Sequence, residues 1–126
     1  MTPQPVTILA IDYNHSNLDL MKRFLEQHGF VVLTAATLEE VDRVLLSPER
    51  VRLALVDIAG FDRGIWDRCE RMRDERIPFL VIYPQQRSAI QEESLEHGAR
   101  GILVKPLVQR ELLGLIKTLI GEDKVM

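Results

Sequence analysis

Five short apolar runs, most of them rich in β-branched residues, divide the chain at 6–11, 30–35, 51–57, 79–83 and 101–104. Most are nearly continuous rather than alternating, as expected of strands covered on both faces. Between them lie segments with helical spacing. Residues 15–28 place Leu18, Met21 and Leu25 on one stripe, with Leu20 and Phe24 beside it. Residues 38–46 carry Val41, Val44 and Leu45. They follow Thr37, with Glu40 three positions on, a capping-box pattern. Residues 64–76 carry Ile65, Cys69 and Met72; residues 87–97 carry Ile90 and Leu95; residues 108–120 carry Leu112, Leu115, Ile116 and Leu119. Gly29, Pro48, Pro78 and Gly98 mark the stops, the glycines where a left-handed residue closes a helix. The pattern is βα repeated five times. It predicts an α/β, flavodoxin-like three-layer sandwich whose five-stranded parallel sheet runs in the order 2-1-3-4-5.

The 126 residues suit one domain, with a core over about 6–120 and a polar tail at 121–126. A single cysteine, Cys69, excludes an internal disulfide and suits a reducing cytoplasm; its neighbours make it core filler. The formal charge of −3 gives no general attraction to nucleic acid. No apolar run is long enough for a membrane span, and no G-x-G-x-x-G or P-loop points to a nucleotide. His15, His28 and His97 lack metal-ligand spacing and read as solvated. The run DRCERMRDERIP reads as a solvated helix face. Trp66 is a weak candidate for a surface aromatic.

In an open parallel sheet, ligands gather beyond the carboxyl ends of the strands, where strand order reverses. Asp12 and Asp57 end strands one and three, on either side of that point, and Lys105 follows strand five. Two carboxylates and an ammonium are thus expected in one cleft.

These residues, set in ILAIDYNHSN, LALVDIAG and GARGILVKP, make the chain resemble the receiver domains of bacterial two-component response regulators over essentially its whole length. The resemblance implies that Asp57 accepts a phosphoryl group and that Lys105 contacts its oxygens. It implies Mg²⁺ held by Asp12, Asp57 and the backbone carbonyl of Ala59, and a cis peptide at Lys105–Pro106. It implies a histidine kinase or phosphotransfer protein as donor, and a downstream partner at residues 87–120. A homodimer is also compatible; direct nucleic-acid or membrane binding is not expected. The chemistry suits these residue types: carboxylates are nucleophiles toward phosphoryl groups, and Mg²⁺ takes one or two carboxylates plus water and phosphate.

Four departures surround the acceptor. Tyr13 stands where the family usually has a second acid, and a phenol keeps its proton at neutral pH, so Mg²⁺ should bind weakly. Tyr83 replaces the Thr or Ser whose hydroxyl the family moves on activation; its longer ring is expected to overshoot Asp57, and Pro84 stiffens the next position. Ile102 replaces a mobile aromatic, and DIAGFDRG lacks the usual proline. Two readings follow: a phosphoryl acceptor with no catalytic turnover beyond transfer to its own Asp57, or a phosphorylation-independent module for protein interaction or dimerisation. A flavin or nucleotide enzyme would need a phosphate-binding loop that is missing.

Overall fold

The structure, a computed structural model, describes residues 5–84 and 88–122. Five strands alternate with five helices: β1 (Thr7–Ile11), α1 (His15–Gln27), β2 (Val31–Ala35), α2 (Leu38–Val44), β3 (Leu53–Asp57), α3 (Gly64–Asp74), β4 (Phe79–Tyr83), α4 (Ser88–Glu96), β5 (Gly101–Val104) and α5 (Gln109–Glu122). The sheet is parallel throughout and ordered β2-β1-β3-β4-β5, as the sequence predicts.

The local chemistry explains the boundaries. Asn14 caps α1, its side chain accepting from the Asn17 amide at 3.0 Å. Thr37 caps α2 by accepting from the Glu40 amide at 3.1 Å. Glu40 returns to the Ala36 amide at 2.7 Å, one residue earlier than an ideal capping box would place it. Gly29 and Gly98 close their helices at φ of 88° and 105°, a region where a Cβ is strained. A single 3₁₀ turn, Pro48–Arg50, which the periodicity did not reveal, leads into β3. At the other end α5 runs to Glu122, so residues 121 and 122 are helical rather than tail. Residues 123–126 of the expected tail, and residue 87 at the start of the expected fourth helix and partner surface, lie outside the described residues.

Strand alternation sorts the core into two layers. Leu9, Ile11, Val56, Val81 and Tyr83 point toward α2 and α3, meeting Val41, Ile65, Cys69 and Met72. Ile8, Ala10, Leu55, Leu80 and Ile82 point toward α1 and α5, meeting Leu18, Leu25, Leu112 and Ile116. The Cys69 thiol, pushed up to about 12 by burial, is an inert core group.

Three surface expectations are corrected. Trp66 is buried, stacked at 4.9 Å on His97. His97 is part-buried, its Nδ1 in contact with Glu70, because the C-terminal turn of α4 packs on α3. The arginine-rich face of α3 is tied down: Arg68 holds Asp42 of α2 with two hydrogen bonds, at 3.0 and 2.8 Å, and Arg71 donates to the Leu45 carbonyl at 2.9 Å.

Candidate functional site at the carboxyl rim of the sheet

The three charged residues expected at strand ends meet in one cleft, on the α1/α5 side of the sheet. Asp57 is in register with Ile82, whose side chain belongs to that layer. Asp12 and Lys105 come one residue after Ile11 and Val104, which face the opposite layer, so alternation turns them toward Asp57. Backbone bonds hold each strand end in place: the Asp12 amide donates to the Ala35 carbonyl at 3.1 Å, and the Lys105 amide to the Tyr83 carbonyl at 3.0 Å. The Lys105–Pro106 peptide is cis, as expected.

Asp57 is 3% exposed. Its Oδ1 accepts from the Ala59 amide at 3.1 Å. Its Oδ2 is in direct contact with the Lys105 ammonium, with the Asp12 carboxyl beside the pair. The Asp12 Oδ1 accepts from the Asn14 amide at 2.9 Å. Burial raises the Asp12 carboxyl above the usual aspartate range; the Asn14 amide opposes this, and the Asp57 charge adds to it. Desolvation and like charge therefore act together on Asp12, an arrangement common at functional sites.

Tyr13 extends from this cleft and braces two loops. Its ring meets Phe61 edge-to-face at 6.0 Å. A Cβ added to Gly60 would lie 3.1 Å from the Tyr13 Cβ and Cγ, so glycine there serves both this approach and a φ of 88°. The tyrosine is still 60% exposed.

Tyr83 does not overshoot Asp57. Position 83 has the opposite parity from Ile82, so its ring enters the α2/α3 layer, where it is fully buried. Among the described residues its hydroxyl has no hydrogen-bond partner. Ile102 packs against the same cluster, half-buried. Both positions are thus separated from the acidic cleft by the sheet. Gly60, Phe61 and the amides of Asn14 and Ala59 were not singled out from the sequence. The Asn14 and Ala59 contacts follow the i+2 Asx pattern that a strand-end aspartate favours, whereas nothing local marks Phe61.

The donor set fits Mg²⁺. Two carboxylates with room for water and phosphate are what this hard ion takes. Among the described residues no group of three or more His, Cys, Asp or Glu gathers to hold a metal unaided. Asp12 and Asp57 are the carboxylates that the cleft offers it, and position 13 adds a phenol rather than a third.

Residues 8–117 match the response regulator receiver domain family. The transcriptional regulatory protein GltR of Pseudomonas aeruginosa is 28% identical over 118 residues, covering 90% of this chain and 48% of GltR; the chain spans about half the length of that relative. A CheY-like response regulator receiver domain protein from Methanospirillum hungatei superposes with a TM-score of 0.82 at 28% identity, covering 96% of this chain and 98% of that one. A two-component response regulator from Clostridium difficile, 24% identical, shares the fold with a TM-score of 0.87 over 95% of this chain and 99% of its own.

Proposed function

Because the chain belongs to the response regulator receiver domain family, we propose that it accepts a phosphoryl group on Asp57 and passes the signal on by binding a protein partner. The observation that carries this reading is the state of the Asp57 carboxylate. Oδ1 is fixed by the Ala59 amide, while Oδ2 faces the Lys105 ammonium. Oδ2 is the nucleophile. Its bond to phosphorus forms as the bond from phosphorus to the donor breaks: a phosphohistidine donor leaves as neutral imidazole, its ring carrying one proton from solvent, and acetyl phosphate leaves as the acetate anion. Lys105 then steadies the charge on the transferred oxygens as a compact point charge. Asp12, Asp57 and the Ala59 carbonyl would hold Mg²⁺, which when bound offsets repulsion between the carboxylates and the phosphoryl group. With Tyr13 in place of an acid, that hold is weak.

The phosphoryl donor is a histidine kinase or a phosphotransfer protein in the cytoplasm. The downstream partner, or a second copy of the chain, binds across residues 87–120, where Leu95 and Val108 are 58% and 52% exposed. Among the described residues no helix is long and apolar enough to cross a membrane. The output does not use a hydroxyl moving toward Asp57, since the Tyr83 ring is held on the other side of the sheet.

The closed acceptor, the missing acid and the buried Tyr83 also favour a second reading, in which the chain binds partners without phosphorylation. Intact-mass measurement after incubation with acetyl phosphate and Mg²⁺ separates the two. The first reading expects a gain of one phosphoryl group that is absent in Asp57→Ala; no gain at saturating Mg²⁺ leaves the second.

A further inference from the structure

Beside the charged cleft, between α1, α5 and the sheet, lies an open cavity of about 640 Å³. That volume is in the range of small-molecule sites. Its lining is mostly apolar, including Leu18, Met21, Phe24, Leu107 and Leu112, and also takes in Asp12, Asp57 and Lys105. Leu20, in the same lining, is 64% exposed. The lining includes two carboxylates and one ammonium, and Lys105 is already engaged by Asp57. The lining therefore carries one more negative charge than positive: Asp12 shares the Lys105 charge with Asp57 and has a single amide donor upon it. An anionic head placed here would meet that charge and a lysine already paired. A cationic head would meet its complement.

We propose that this cavity binds a small amphiphilic amine, its ammonium against Asp12 and its hydrocarbon body along α1 and α5. Binding would exclude Mg²⁺ from Asp12 and so regulate the rim of the sheet. The site does not depend on Asp57 accepting a phosphoryl group, so failure of either reading is visible without the other.

The test is methyl NMR of the whole chain titrated with octylamine, octanol and octanoate below their micelle concentrations. Octylamine should shift the Leu18, Met21 and Leu112 methyl signals saturably, binding about tenfold more tightly than octanol, with octanoate weakest; Mg²⁺ should compete. Asp12→Asn should reduce octylamine to the affinity of octanol. Leu20→Lys, at an exposed position the fold tolerates, should weaken octylamine severalfold and keeps the test decisive if Asp12→Asn does not fold. Equal binding of the three compounds, shifts scattered outside the cavity, an amine preference that survives Asp12→Asn, octylamine affinity unchanged by Leu20→Lys, indifference to Mg²⁺, or no binding would each overturn the proposal.

Discussion

Tyr13 exchanges a carboxylate for a ring, and the exchange has two consequences of opposite kind. It removes a negative charge from a cleft where Asp12 and Asp57 already face each other, and it adds an aromatic brace between two loops through Phe61 and Gly60. Restoring the acid should recover the charge. Tyr13→Asp is expected to tighten Mg²⁺ binding by about tenfold, roughly the 1.4 kcal/mol of one further charged ligand in a partly screened site. Calorimetric titration checks this, and unchanged affinity would mean that position 13 does not reach the metal. Tyr83 poses a different problem, a hydroxyl buried with no partner among the described residues. Removing such a group while keeping the ring recovers its desolvation cost. Tyr83→Phe should therefore stabilise the fold by about 1 kcal/mol, read from the urea midpoint; a loss of stability would show that the hydroxyl is satisfied in solution. The sequence made the residue types at 13 and 83 legible, but not the direction of either side chain. For Tyr83 the deciding fact is parity along β4, which the run FLVIY conceals because every residue in it is apolar or aromatic and all five are buried.

At the scale of elements, the sequence marked nearly everything that punctuation and periodicity can mark. Every strand and helix appeared within about three residues of its predicted bounds, because strands buried on both faces and helices closed by glycine or proline leave strong local signals. What it did not show were the ties between elements, which depend on side chains distant in sequence. The arginines of α3 read as solvent-facing, yet Arg68 clamps Asp42 of α2 and Arg71 reaches the end of the same helix. The Asp42 carboxyl is held below its usual range, chiefly by the hydrogen bonds from Arg68. A lowered folded value means that this contribution is present above the ordinary aspartate value of 3.8 and fades as the pH falls through the lowered one. Asp42→Asn should thus cost about 0.5–1 kcal/mol at neutral pH, the worth of a well-aligned but exposed ion pair. The deficit should shrink progressively as thermal melts are carried below pH 3.8 and through the lowered value. A deficit that persists in acid would assign the effect to packing of α2 rather than to charge.

For the molecule as a whole, the sheet works as a partition. On one side of its carboxyl rim stand Asp12, Asp57, Lys105 and the apolar cavity between α1 and α5; on the other lie Tyr83 and Ile102, together with the packing of α3 and α4. The topology places the first group together without any of its members being near in sequence, which is why strand order had to be inferred before the site could be. The partition also dictates how a signal would leave. A phosphoryl group on Asp57 would act on α4, β5 and α5 through the lysine that follows β5 and the loops above the sheet, not through a hydroxyl relay. The central claim is that Asp57 Oδ2 is the acceptor, and an acyl phosphate has a chemical signature that locates it. Treatment with acetyl phosphate and Mg²⁺, followed by borohydride reduction and peptide sequencing by mass spectrometry, should convert residue 57 to homoserine and leave Asp12 and Asp62 intact. Homoserine at another aspartate, or at none while the protein remains folded, would contradict it.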